Sequence, residues 1–464
     1  MTTQRVLSRR AVLASGAAIG AAGSILAQES AHAGTAAPGR GNGAYLNATD
    51  AGVVPGLGKD QGAALQAALD RAVERGLGLL LPPGRVVASN VVLRAGAVLA
   101  GSGRSSVLVY GGGGTMFRGA GADGVTLRDF AIDGAERPLD RARARALVDL
   151  ETTRGVSIDG LSVTGSAGDG LALSGCSGRI TRTLVDGVAD AGIFSLDADL
   201  ASGSVAISDV QVRNCRDNGI LIWRSVKGDD GSRVTNATIA LIGNKSGGSG
   251  QFGNGVNVFR AGGVAVTGCH ITQCAYSAVR GNAADNIRMI GNGIADIGEV
   301  ALYAEFGFSG AVIANNVVDG AATGIAVTNF DHGGRLAVVQ GNLVRNLRRR
   351  DHEPVDKRGE GIAVEADAAV SGNVVEGAPS IGILIGWGKH MRDVAATGNI
   401  VRDCGVGIGV SVSVDAGRVL VANNVVSGSR HGAIVAMDHD NRIGVLSERD
   451  AANENVRLSG NIAS

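Results

Sequence analysis

Proline is scarce in this chain, at 7 of 464 residues, and aromatic side chains make up only 3%. That excludes a core filled by large rings and argues against an ordinary compact α/β enzyme. Neither sign of charge is in excess, with 43 Lys+Arg against 43 Asp+Glu. The footprint of a nucleic-acid binder or of a protein held on an anionic membrane is therefore missing. Beyond the N-terminus no apolar run reaches the roughly 18 residues a membrane-spanning helix needs, so no stable membrane span is expected. Cysteine is limited to Cys176, Cys215, Cys269, Cys274 and Cys404, an odd number that does not make a disulfide framework. Glycine, in contrast, is abundant at 74 residues, as many tight turns joining strands of small residues would require.

The N-terminus reads as an export signal. "LSRRAVLA" (7–14) precedes a small, apolar run and the A-x-A site "AHA" at 31–33. Adjacent Arg9 and Arg10 match a twin-arginine signal. Removing residues 1–33 leaves 40 basic and 42 acidic side chains. The expected product is periplasmic or secreted, with the twin-arginine translocon as a partner during export. Residues 34–57 are then expected to be a linker and 58–464 one domain.

That domain is repetitive. "ANNVVDGAATGIAVTNF" (314–330), "SGNVVEGAPSIGILIGW" (371–387), "TGNIVRDCGVGIGVSVS" (397–413) and "ANNVVSGSRHGAIVAMD" (422–438) share Asn, apolar residues, a turn and a Gly-Ile-x-Val strand. The anchoring asparagines are Asn292, Asn316, Asn342, Asn373, Asn399, Asn424 and Asn461, spaced 24, 26, 31, 26, 25 and 37 residues apart. A unit of this length made of short strands predicts an all-β solenoid, specifically a right-handed parallel β-helix. Hexapeptide periodicity and Leu-dominated consensus positions, which would favour a left-handed helix or a leucine-rich repeat, are missing. The asparagines are expected to stack as a ladder. Cys269 replaces one of them in "TGCHI", and Cys215, Cys274 and Cys404 share another position, so all are expected in core columns. "GKDQGAALQAALDRAVERG" (58–76) predicts a helix with Asp60 as N-cap and Gly76 as stop, capping the open end of the tube.

The stretch "ATDAGVVPGLGKDQGAALQAALDRA…GLLLPPGRVVAS…AGAVLAGSG" (48–103) resembles the N-terminal region of the pectate-lyase superfamily. With its export signal and repeats, the chain is similar to uncharacterised twin-arginine-translocated repeat proteins of that superfamily. The resemblance implies the β-helix; its members include lyases, hydrolases, epimerases and binders. The hydrolase motifs Asn-Thr-Asp, Gly-His-Gly and Arg-Ile-Lys are missing, as is the lyase motif Arg-x-x-Pro-x-x-Arg. "GDDG" (228–231) is the one partial match, and Asp229 and Asp230 read as a solvated loop.

Side chains leaving the Gly-Ile-x-Val strands fall on one edge of the tube. Trp223, Arg224, Arg260, Arg280, Tyr303, Glu365 and Trp387 are the candidate substrate-binding residues, because rings stack on sugars and arginines hold carboxylates. Six steps of about 4.8 Å would place Trp223 and Trp387 about 29 Å apart, the reach of several sugars. Glu305, Asp331, His332, Lys389 and His390 are the candidate catalytic residues, supplying paired carboxylates or a base and proton donor. Taken singly, each has an ordinary reading as a turn or surface residue. The insertions 244–255 and 345–360 are expected either to wall this groove or to be solvated loops. No metal site or cofactor is expected. The partner is expected to be a polysaccharide or oligosaccharide, acidic by preference, modified by lyase, epimerase or hydrolase chemistry. The alternatives are a non-catalytic binder of glycan or protein and, on Met437 and His439, a protein of metal-centre assembly.

Overall fold

A computed structural model describes residues 44–248, 250–328, 334–350, 359–448 and 455–464. Among the described residues the chain winds through three sheets of 16, 15 and 15 strands; away from the two ends each sheet takes every third strand, and pairing is parallel except for the last strand of the second sheet. This is a right-handed parallel β-helix, with one strand of every sheet contributed by each rung. Strands pair in register over many rungs, as in Val256–Val279–Leu302–Ile325–Ile362–Ile383–Ile408–Ile434 of the second sheet. These side chains form one buried column, and equivalent columns from the other two sheets complete a single continuous core. The winding begins ahead of the expected boundary. Tyr45–Asn47 already pairs with Gly78–Leu80 as the first strand of the first sheet.

The helix spans Gly62–Glu74 and buries Leu65, Ala68, Leu69 and Ala72. The N-cap position is Gln61, whose amide is engaged with the backbone of Val54 through both its oxygen and its nitrogen and makes no capping bond. Asp60 still accepts a bond from the Gly62 N–H at 2.6 Å. Gly76 ends the helix at φ 67°. Gln66 exchanges two bonds with Val92 in the first strand of the second sheet, covering backbone that an exposed edge would leave open.

The asparagine ladder runs unbroken from Asn292 to Asn461. Each Oδ1 accepts from the backbone N–H and the side-chain amide of the preceding asparagine, at 2.9–3.1 Å throughout. Cys269 caps the series, donating its N–H to Asn292 at 2.9 Å. The five thiols are free and buried. Burial pushes the Cys176 thiol up to about 11 and raises those of Cys215, Cys269, Cys274 and Cys404.

The glycine of the repeat signature has a different origin from the turn glycines. Gly361, Gly382 and Gly407 lie in extended strands, where a Cβ would come 2.5, 2.3 and 2.3 Å from a valine methyl of the core. Three of the cysteines fill the same space, with Sγ 3.1–3.2 Å from where the Cβ of Gly192, Gly255 or Gly382 would sit. Glycine is needed here for closeness of packing, not for φ.

The ladder makes a quantitative prediction. Asn373→Ala would leave the Asn342 donors without their buried acceptor, at a cost of about 3 kcal/mol. The same change at Asn461, on the half-buried last rung, is expected to cost about 1 kcal/mol or less. Urea unfolding of the two variants should rank them in that order, and equal losses would contradict the ladder's role.

Candidate functional site

On a solenoid the outer sheet faces ordinarily meet water, yet that of the second sheet is largely covered. Its first outward column runs Asp169, Ala191, Asn218, Asn254, Ser277, Val300, Thr323 and Glu360, and all are buried. Residues 244–248 and 250–253 lie over part of this face. Asn218 and Asn257 donate to the Gln251 carbonyl, Asn254 donates to that of Gly250, and Asp217 accepts from the N–H and hydroxyl of Ser246. The expected wall is thus pinned by a polar column, despite its flexible composition. The charged insertion begins along the same face, with Arg348 donating to the Ile297 carbonyl and Arg350 lying 5.8 Å over the Tyr276 ring.

The middle outward column explains where space is left. It reads Leu221, Asn257, Arg280, Tyr303, Ala326, Ala363, Leu384, Gly409 and Val435 by strand register. Two consecutive alanines between Tyr303 and Leu384 leave a cavity of about 60 Å³, lined also by Thr323, Thr328, Glu360, Glu365 and Trp387. A second cavity of about 220 Å³ shares Glu360, Leu384 and Trp387 with the first and extends over Pro379, Ile381, Val406, His431, Met437, Asp440 and Arg442. Together they form a groove across adjacent rungs, with Trp387 at the junction.

Glu305 is fixed next to this groove. Its Oε1 accepts from Arg280 Nε at 2.5 Å and from Asn282 Nδ2 at 2.9 Å. Both ionic side chains are at least 90% buried. Most other ion pairs here are far more exposed and contribute little. Arg280 also lies 5.5 Å over the Tyr303 ring, and Gly250 leaves the space its guanidinium occupies. Burial, reinforced by the charge of Glu305, raises the Tyr303 phenol above its ordinary range. Its oxygen accepts from the Thr328 hydroxyl at 3.3 Å.

The sequence candidates separate by place. Arg280, Tyr303, Glu305, Glu365 and Trp387 come together on this face. Trp223 lies farther along it, between Phe194 and Phe259, with edge-on ring contacts at 5.7 and 5.6 Å. Arg224 donates to the Ala198 carbonyl and pairs with Asp230 at 3.7 Å, while Arg260 donates to Ser225 and covers Phe259. Asp230 is therefore buried and not solvated, unlike Asp229. Lys389 and His390 occupy a short 3-10 turn after Trp387, exposed and half-buried, and line neither cavity. Asp331 and His332 lie outside the described residues. Met437 is buried among Leu384, Val406 and Val435, whereas His439 turns to Trp387 and Asp438. Among the described residues no three His, Cys, Asp or Glu side chains group as metal ligands.

Sequence reasoning missed Glu360 and Thr323. The signal was the residue before the signature glycine, outward in register, where "EGIAVE" carries a glutamate in place of the Ile or Val of later rungs.

Residues 225–393 match the family described as right-handed beta helix region. No curated protein sequence matches the chain. Among solved structures, the N-terminal fragment of gene product 12 of bacteriophage phi29 is 16% identical, covers 90% of this chain and 70% of that one, and has a TM-score of 0.52. The catalytic unit of an α-1,3-glucanase from Streptomyces thermodiastaticus is 16% identical over 91% and 70% of the two chains, at a TM-score of 0.49. The A-module of a mannuronan C-5 epimerase from Azotobacter vinelandii is 15% identical over 90% and 99%, at 0.45. At these identities the likeness is one of fold. Among the described residues no helix is long and apolar enough to cross a membrane.

Breaking one partner of the buried pair should be costly. Arg280→Ala is expected to destabilise the protein by about 3–5 kcal/mol, because it strands a buried carboxylate. Arg280→Met combined with Glu305→Leu should recover most of that loss in urea unfolding. A neutral Arg280→Ala variant would contradict the burial of the pair.

Proposed function

We propose that this chain is an exported β-helix protein that binds a polysaccharide along the covered face of the second sheet and modifies it by acid–base chemistry. The observation that carries this reading is the placement of Glu360 and Glu365 in one cavity, beside Tyr303 and the half-buried Trp387. Two carboxylates flanking a bound sugar supply the acid and base of glycosidic cleavage. A carboxylate base with a phenol donor supplies lyase or epimerase chemistry. In this reading Glu305 positions Tyr303 through Arg280. Asp331 and His332, three and four residues past Thr328, remain proposed members of the catalytic set with Lys389 and His390.

The twin-arginine signal supports export of the folded chain. Five buried, free thiols suit a protein that folds in a reducing compartment before export.

A non-catalytic glycan scaffold is the second reading. The observation favouring it is the first cavity's volume of about 60 Å³, well below the roughly 300–1,000 Å³ of ordinary ligand pockets.

Purified mature protein should be incubated with a panel of uronate and neutral polysaccharides, following reducing ends, unsaturated products and epimer content. The expected result is turnover that falls about 10²–10⁴-fold in Glu360→Gln or Glu365→Gln. Trp387→Ala should chiefly raise KM. Parallel variants at Asp331, His332, Lys389 and His390 measure their share. Binding without turnover on every substrate would select the scaffold.

A further inference from the structure

Arginines on the surface of this solenoid habitually pair with a carboxylate one rung back. Arg182–Asp159, Arg213–Asp186, Arg345–Asp319, Arg392–Asp367 and Arg418–Asp393 all do so, at 2.6–2.9 Å. Around the second cavity the habit lapses. Arg349, Arg430 and Arg442 make no ion pair with any carboxylate among the described residues. Arg349 and Arg430 each donate one Nη2 to the same carbonyl, that of Pro379, at 3.2 and 3.0 Å. Two guanidinium groups are thus held side by side against their mutual repulsion, with most of their donors left for another acceptor. Arg442 reaches the same cavity from the antiparallel strand Asn441–Val445, opposite Met437.

We propose that Arg349, Arg442 and the adjoining Arg430 form an anion-binding subsite that takes the carboxylate or sulfate of a sugar residue next to the one held over Ala326 and Ala363. This rests on the glycan reading above and adds the substrate class: an acidic chain whose charged group occupies the wider cavity while Trp387 stacks at the junction. A planar guanidinium matches a carboxylate or sulfate in two parallel bonds, which a neutral hydroxyl cannot reproduce. The cavity also contains Glu360, at the end shared with the first cavity, and Asp440. The field at His431, nevertheless, is set by cations. Its imidazole is held below the ordinary histidine range first by lost solvation and then by Arg442, Arg430 and Arg349. A partner anion would relieve that crowding.

The test is calorimetric titration of the full chain with a galacturonate tetramer, its carboxyl-reduced neutral counterpart and a sulfated neutral tetramer. At least one charged tetramer should bind about tenfold or more tightly than the reduced one. Which charged tetramer gains identifies the anion. In Arg349→Ala/Arg442→Ala, both exposed positions, that gain should vanish while affinity for the reduced tetramer stays within about twofold. A charged preference that survives the double substitution overturns the subsite, as does equal affinity for all three. Equal affinity that is lost in Trp387→Ala leaves the glycan reading standing and removes the anion-binding subsite alone. If no tetramer binds, both readings fall.

Discussion

In-register parallel pairing of each rung with the next is the constraint on which the rest of this molecule depends. A single rung has three short strands and cannot bury its own apolar side chains, so stability comes from stacking. Stacking works only if like sits on like. Val and Ile continue the apolar columns, asparagine continues the ladder, and glycine continues the column where a core valine or cysteine must approach the strand. The ladder gives the register its specificity. Its amides are satisfied by the next asparagine and by a backbone carbonyl of the rung before, and a slip of one residue would leave them buried without partners.

The same constraint makes the site possible. A solenoid places identical positions about 4.8 Å apart, so a change at one column position on one rung is a local change in a regular surface. Tyr303 followed by Ala326, Ala363 and Leu384 is such a change, and the cavity is the volume that the two alanines do not fill. Elsewhere on that face the outward columns carry polar groups that hold Ser246, Gly250 and Gln251. Arg280 packs against Gly250 and is buried together with Glu305, and the pair in turn sets the environment of Tyr303.

Much of the fold was legible because it is written as a repeat: the Asn and Gly-Ile-x-Val positions predicted the rungs, the ladder and the core cysteines. Individual rungs misled where neighbours decided the outcome. Asp60 accepts the first N–H of the helix, from Gly62, but the N-cap position itself falls one residue later, at Gln61. Asp230 sat in a glycine-rich stretch that suggested solvent, yet Arg224 and Ser232 hold it inside. The edge carrying Arg280, Tyr303, Glu305, Glu365 and Trp387 could be indexed from the strand period alone. Glu360 could have been indexed the same way, as the outward residue before the signature glycine, but the three arginines of the wider cavity could not, because they meet through different rungs and a returning antiparallel strand. Their grouping depends on the height of each turn and not on spacing within one repeat.

The central claim is that the covered face of the second sheet is where a polysaccharide lies. A crystal structure of the protein soaked with an acidic oligosaccharide tests it most directly. The account predicts a sugar ring over Ala326 and Ala363, between Tyr303 and Trp387, with the chain running across rungs toward Arg442. A saccharide bound on the first or third sheet, with this groove empty, would contradict it.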